Sequence, residues 1–500
     1  MFDSVPASSK TARLVLVATI LGSSMAFLDG TVVNLALPTL QHFFRANVLD
    51  AQWVVESYAL TLASLLLVGG SMGDRYGRRT IYICGVVLFA LSSAVCGAAT
   101  NIKWLIGARA VQGVGAALLI PGSLALITAT FPESERGRAI GTWSAFSAIT
   151  AAIGPVVGGW LIEHLSWRWV FFLNIPLAIA VVALCVNISE THDQEADGHL
   201  DWLGAVLTIF GLGAVVYTLI EWPSGGHRAK FITLALAGVL ALIAFVYVEE
   251  CAHAPMLPFQ LFRSRNFAGA NLLTLFVYAP LGALLFFTPL DLIQIQHYSA
   301  TQAGGAFSPF IVMMMVLSRW AGRLVDRYGP RLPLTMGPFI TCIGFMLFAL
   351  ERQDGSYWTS FLPAVLVMSL GMAITVAPLT TTVMNAVPKS NAGVASGINN
   401  AVSRLASLIS IAVFGALLVA IFTTTLDREI ALLALPPEIL AQVKANRLQL
   451  AAIDVPDRRV MHAVAIAFIH AYRSVLWVAA ALLFLGGCVG WLMIVPDTNE

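Results

Sequence analysis

The chain has 500 residues, of which 58% are hydrophobic and only 11% charged, with 28 Lys and Arg against 27 Asp and Glu for a net charge of +1. Soluble proteins carry about 25% charged residues, so these charges cannot hydrate a soluble surface of this size, and a net charge near zero supplies no basic field for nucleic acid. A soluble enzyme, a disordered protein and a nucleic-acid binder are excluded, and the apolar residues are expected to face lipid on many helical spans.

Apolar runs bounded by charges, Gly or Pro fall at 14–37, 52–72, 80–99, 104–130, 138–161, 168–187, 202–220, 231–250, 267–295, 303–321, 332–350, 358–384, 395–423 and 472–494. An all-α integral membrane protein with 14 transmembrane helices is therefore expected. The first run is too long for the apolar core of a signal peptide, and no small-residue cleavage site follows it, so it is expected to remain as a helix. Six cysteines, at 84, 96, 185, 251, 342 and 488, form no C-x-x-C or zinc spacing and read as small apolar helix residues. No metal site is expected.

Orientation follows from loop Lys and Arg. With the N-terminus in the cytoplasm, the inner segments gather Lys10, Arg13, Arg75, Arg78, Arg79, Arg136, Arg138, Arg263, Arg265, Arg323, Arg327, Arg331 and Lys389. The short outer loops hold only Arg45, Lys103, Arg168, Arg228, Lys230 and Arg352. Both termini are thus expected inside, although the stretch 190–201 is acidic. A polar excursion, 424–471, falls outside and contains an amphipathic stretch, 437–452, after Pro436–Pro437. It reads as a helical hairpin on the outer face, either a passive cover or a substrate gate.

Residues 70–79, GSMGDRYGRR, and 322–331, GRLVDRYGPR, match at six of ten positions. Both lie in predicted inner loops, after the second and tenth runs. A spacing of eight runs rather than six implies two six-helix bundles with two helices inserted between them. The expected division is an N-terminal segment 1–13, a first bundle 14–187, two inserted helices with their loops over 188–266, a second bundle 267–494 and a tail 495–500. Duplicated halves around a central site are a transporter signature.

Several motifs then occur in order. The loop after the second run carries Gly70, Asp74, Arg75, Gly77 and Arg78. Its glycines permit a tight turn, and Asp74 can pair with Arg or accept bonds from a helix N-terminus. The fourth run has LIGARAVQGVGAA (105–117) with Arg109, Gln112 and Gly113, the fifth AIGPVVGGW (152–160) with Gly154, Pro155, Gly158 and Gly159, and the first FLDGTVVNLALP (27–38) with Asp29 and Asn34. SWRWVFFLNIP (166–176) and Arg404 complete the set. Together they resemble the major facilitator superfamily, in its 14-helix drug:proton antiporter branch, over nearly the whole chain. Met72, Gly73 and Arg79 depart from the loop signature, and Thr150 replaces the first glycine of the fifth-helix signature.

The resemblance implies a conformational latch at Gly70, Asp74, Arg75, Gly77 and Arg78, repeated by Asp326 and Arg327, and an exporter motif at Gly154, Pro155, Gly158 and Gly159. That motif can also serve simply as a packing seam. It further implies a multi-pass protein of the bacterial inner membrane, working as a monomer on the proton gradient with no cofactor.

The residues themselves place a charge cluster. At about 1.5 Å per residue, Asp29 lies roughly 22 Å up its helix, while Glu56 and Arg109 enter from the outer side by four or five residues. All three reach a similar depth. A carboxylate in low dielectric holds a proton that a nearby Arg disfavours. Asp29 is read as the main proton carrier, with Glu56 as a coupled second carboxylate, and the alternative is a static ion pair between the first and fourth helices. Asn34, Gln112, Asp291, Asn399 and Arg404 are candidates to line a substrate cavity. Asn271, Asn399 and Asn400 can equally bond between helices.

The expected function is proton-coupled export, by alternating access, of small amphipathic compounds, with acidic groups in an apolar cavity favouring cations. Export of a lipid or dedicated metabolite, and symport on the same fold, stay open. A primary pump needs a G-x-x-x-x-G-K-[ST] loop, and no Gly-Lys pair occurs. A membrane enzyme needs a metal or nucleophile cluster, and H-E-x-x-H is also absent.

Overall fold

The computed structural model describes residues 10–191, 202–251, 258–350, 356–388 and 392–495, and among them every regular element is a helix. Inner and outer below follow the Lys/Arg asymmetry. The first half contains α1 (Lys10–Phe44), α2 (Val48–Tyr76), α3 (Arg78–Ala98), α4 (Ile102–Thr130), α5 (Glu133–His164), α6 (Trp169–Phe172) and α7 (Asn174–Cys185). Next come α8 (Trp202–Glu221) and α9 (Arg228–Cys251). The second half contains α10 (Arg265–Leu290), α11 (Ala300–Ala306), α12 (Ser308–Tyr328), α13 (Arg331–Ala349), α14 (Phe361–Asn385), α15 (Ala392–Ala431), α16 (Pro437–Asn446) and α17 (Arg458–Met493).

Each of the fourteen predicted runs falls on helix. Twelve described helices are long and apolar enough to cross a bilayer, and α2, bent by 52° just before Gly69–Gly70, makes a thirteenth when counted as one span. The run 168–187 is a shorter apolar helix, broken at Leu173 into α6 and α7. The run 303–321 breaks at Phe307, between α11 and α12.

In the first half α1 packs on α4, α5 and α7, α2 on α4, and α3 on α4 and α7. In the second half α10 packs on α15 and α17, α13 on α14 and α17, and α12 on α14. Helices α8 and α9 pair with each other, and α8 leans on both α2 and α15. The inserted pair therefore sits against the line where the halves meet.

The outer excursion differs from the expected hairpin over 424–471. Helix α15 continues through Ala431, and α17 already begins at Arg458, so most of the polar stretch prolongs two spans. At 40 residues α15 is about 60 Å long, well beyond a bilayer of about 45 Å with headgroups, and its polar end needs no lipid-matching hydropathy. Only α16 and the short helix Arg447–Ala452 form a separate cap, within the predicted stretch 437–452. That cap buries Val443, Leu450 and Ile453 and touches α1 and α2 of one half together with α15 and α17 of the other.

The halves also meet directly at their outer ends. Gln52 on α2 donates to the Ile411 carbonyl on α15 at 2.8 Å, Gln294 donates to Gln41 on α1 at 2.9 Å, and the Thr301 N–H donates to Glu163 on α5 at 3.0 Å. The structure is closed on its outer side.

Candidate functional site

Asp29, Gln112 and Arg109 form one buried network between α1 and α4. Arg109 and Gln112 are three residues apart on α4 and so share a face. Arg109 Nη1 donates to Asp29 Oδ2 in a close ion pair and to Gln112 Oε1 at 2.8 Å, and Gln112 Nε2 donates to Asp29 Oδ1 at 2.9 Å. Arg109 Nε donates to the Val54 carbonyl of α2 at 3.0 Å, and the guanidinium lies 4.3 Å from the Tyr58 ring centroid. Arg109 and Asp29 are each 1% exposed, so Arg109 points into the bundle and does not snorkel. A buried Arg needs this many partners, because each unmet bond in lipid is costly.

Gly113 sets the spacing that makes this possible. A Cβ there would run into the Tyr58 carbonyl and the Thr61 hydroxyl of α2, so only glycine lets α2 lie close enough for Val54 and Tyr58 to reach Arg109. Tyr58 is the member of the site that the sequence reading missed. Its spacing on α2, one turn below Val54, was the available signal.

Glu56 shares the depth of this network and does not join it. It is 0% exposed, and neither carboxylate oxygen has a hydrogen-bond partner. Helical spacing shows where it sits. Gln52, one turn earlier, meets α15, while Trp53 and Leu60 meet α8 through Glu221 and Gly213. Glu56 thus lies where α2 meets both the second half and the inserted pair.

The other predicted cavity residues divide. Asn399 donates to Asn271 Oδ1 at 3.2 Å and to the Thr274 hydroxyl at 2.6 Å, joining α15 to α10. Asp291 is buried on a single π-helical turn after α10 and accepts from Gln296 at 2.6 Å. Gln112 belongs to the ion-pair network. Asn34 is half-buried, with its Oδ1 enclosed and unpartnered. Arg404 is half-buried on α15, on the face that carries Ile411 and Gly415 against Gln52 of α2, and within electrostatic reach of Tyr58.

The fifth-helix motif is a seam on two sides. Gly154 and Gly158 face Thr31 and Val32 of α1, and a Cβ at either would overlap those side chains. Gly159 lies against the Ala300 carbonyl, and Gly304 on α11 lies against the Pro155 carbonyl. The four motif residues, Gly154, Pro155, Gly158 and Gly159, therefore close α5 onto α1 and onto the second half.

The two Asp-Arg-Tyr-Gly copies take the same form. Arg75 stacks on Tyr76 at 5.4 Å and Arg327 on Tyr328 at 5.2 Å, and each is followed by a glycine at positive φ, Gly77 at 107° and Gly329 at 70°. Asp74 pairs with Arg78 at 2.8 Å, bridging the end of α2 to the start of α3, while Gly70 lies against Pro121 of α4. The side chain of Asp326 lies outside the described residues, as do Lys389, residues 192–201 and the tail 496–500.

Asp74 does not cap α3. Glu190, beyond α7, accepts from the Arg79 N–H at 2.9 Å, the Thr80 N–H at 3.0 Å and the Thr80 hydroxyl at 2.5 Å. Partial burial works against its charge, but these hydrogen bonds outweigh it and hold the carboxyl below its usual range.

Comparison with known proteins settles the family. A model of the Major Facilitator Superfamily matches residues 19–411. The chain belongs to the major facilitator superfamily. Its membership makes it a multi-pass membrane transporter rather than an enzyme. The chain is 35% identical to the multidrug resistance protein Stp of Mycobacterium tuberculosis, over 98% of this chain and 94% of that one. It is 33% identical to the methylenomycin A resistance protein of Bacillus subtilis, over 82% of this chain and 88% of that one. It is 32% identical to the tetracenomycin C resistance and export protein of Streptomyces glaucescens, over 81% and 75%. Among solved structures, a bacterial homolog of the human lysosomal transporter Spinster superposes with a TM-score of 0.70 at 19% identity, covering 98% of this chain and all of that one. This last likeness speaks to the fold alone.

Proposed function

We propose that this facilitator is a proton-coupled exporter of small amphipathic compounds. It works by alternating access in the cytoplasmic membrane, as a monomer with both termini inside, and needs no cofactor beyond the proton gradient. Its relatives' names, which include multidrug resistance and export, support the direction of transport. The observation that carries the proton coupling is the pair of buried acids of opposite status, Asp29 with both oxygens bonded and Glu56 with neither.

Closing the outer side seals Glu56 between α2, α8 and α15. An unpaired buried carboxylate costs several kcal/mol as an ion, whereas the neutral acid escapes that cost. Closure on the outer side thus goes with Glu56 holding a proton taken up outside, which it must give up toward the inner side before the outer side reopens. Opening that side parts α2 from α15, hydrates Glu56 and lets it exchange with the outer medium. Asp29 exchanges its proton only when Arg109 withdraws, which ties the second carboxylate to movement of α4 against α1. The Asp74 loop makes its ion pair within its own half in this outer-closed state, as a latch between halves does when released.

The test uses proteoliposomes loaded with a pH-sensitive dye and given a panel of fluorescent aromatic amphiphiles. Wild-type protein is expected to show cargo-driven proton movement opposite to the cargo. Glu56→Gln is expected to fold and carry cargo downhill while moving no protons. Coupled proton flux persisting in Glu56→Gln would remove the assignment, and protons moving with the cargo would make the protein a symporter.

A further inference from the structure

The expectation of cationic cargo rests on acidic groups lining the cavity, and their positions remove that basis. Asp29 is 1% exposed and bonded on both oxygens, Glu56 is 0% exposed, and Asp291 is 5% exposed beneath Gln296. These three carboxylates are all closed off from solvent. A deep charge that is part-exposed among the described residues is basic, Arg404 on α15.

Arg404 lies twelve residues into α15, about 18 Å from its inner end at 1.5 Å per residue, which is near the middle of a hydrocarbon core of about 30 Å. Its side chain is half-buried, and among the described residues no hydrogen bond or ion pair holds it. It shares the α15 face of Ile411 and Gly415, which meet Gln52 of α2, and it lies within electrostatic reach of Tyr58, whose ring is already occupied by Arg109. An intramembrane Arg is normally paired. Here the pairing position is left to whatever enters between the halves. A guanidinium offers a planar fork of donors that matches a carboxylate, and it repels a cation in the same place.

We propose that the cargo is an acidic amphiphile, an apolar or aromatic body bearing a carboxylate or phenolate, whose anionic group pairs with Arg404. This deepens the exporter reading above and rests on it.

The test is equilibrium binding to the full-length protein in detergent, with no gradient. The probes are three fluorescent anthracenes of like shape: anthracene-9-carboxylate, 9-anthracenemethanol and trimethyl(9-anthracenylmethyl)ammonium. Wild-type protein is expected to bind the acid at least tenfold more tightly than the ammonium. Arg404→Gln is expected to weaken the acid about tenfold, a typical loss for one charge-assisted contact, and to leave the alcohol within about twofold. Arg404→Lys is expected to restore part of the loss. Tighter binding of the ammonium by wild type, or equal weakening of all three probes in Arg404→Gln, overturns the proposal. If Arg404→Gln does not yield folded protein, the wild-type ranking and Arg404→Lys decide. Because no gradient is present, failure here leaves proton exchange standing, and absent proton exchange in vesicles leaves an observed acid preference standing.

Discussion

The two halves bury polar networks of opposite kinds. Between α1 and α4 the first half joins Asp29, Arg109 and Gln112 through an ion pair. Between α10 and α15 the second half joins Asn271, Thr274 and Asn399 through neutral amides and a hydroxyl. Both satisfy side chains that lipid cannot, and both hold two helices together. Only the first contains groups whose charge a proton can change. The second leaves a deep cation, Arg404, outside that network, on the α15 face that turns toward α2. The halves descend into the same topology and divide the labour, with sealed charge in one and a free charge in the other.

The largest effect should come from breaking the ionic network unevenly. Arg109→Gln leaves the Asp29 carboxylate buried without its cation, and loss of one partner of a buried pair costs about 3–5 kcal/mol. Asp29→Asn strands Arg109 and should cost a similar amount. The double variant Asp29→Asn/Arg109→Gln restores neutrality and should recover most of the stability of either single one, with coupled transport still lost. Thermal unfolding of the four proteins measures the coupling energy. Additive losses would mean that the two side chains do not act as a pair.

Next in size is the seam that brings the halves together outside. A Cβ at Gly304 would overlap the Pro155 carbonyl, so Gly304→Ala should hold the outer ends apart without disturbing either network. Transport should fall by about tenfold or more, as expected when one of two alternating states is disfavoured by about 1.4 kcal/mol. Hydrogen exchange at the outer ends of α5 and α11 should rise. Unchanged exchange there would show that the seam adjusts around the methyl group.

Asn399→Ala tests the neutral network. It removes two hydrogen bonds between α15 and α10, each worth about 0.5–1.5 kcal/mol net. The unfolding temperature should drop modestly, and the proton-to-cargo ratio should not change. A changed ratio would bring the second half into the coupling and erase the contrast.

Sequence made much of this visible for definite reasons. The hydropathy runs all fall on helix, because lipid leaves helices as the sole open-ended solution, and twelve or thirteen of the described helices are long and apolar enough to cross. The depth arithmetic brought Asp29 and Arg109 to one level, and they meet. It also brought Glu56 to that level, but depth says nothing of azimuth, and Glu56 points to α8 and α15 instead. The outer ends of α15 and α17 were misplaced because polar helix beyond the headgroups has no hydropathy signal. Arg404 was visible as a motif position, while its lack of a partner is a fact of packing. Glu190 was read only as part of an acidic stretch, since its contact with Thr80 spans 110 residues.

Glu190 also supplies the smallest prediction, and one that separates the inner loop from both networks. Its carboxylate serves the exposed N–H groups at the start of α3 and so replaces the cap that Gly77 cannot give. Glu190→Gln keeps the shape and removes the charge. Because the group is exposed and screened by solvent, the loss should be at most about 1 kcal/mol. The folded protein holds this carboxyl below its usual range, so its contribution is complete above the ordinary Glu value of about 4.3 and fades as pH falls through and below that value. Wild type and Glu190→Gln should therefore differ in unfolding temperature at neutral pH and converge in acid. A difference that grew toward low pH would mean that Glu190 is stabilised in its neutral form, and the cap would then owe nothing to its charge.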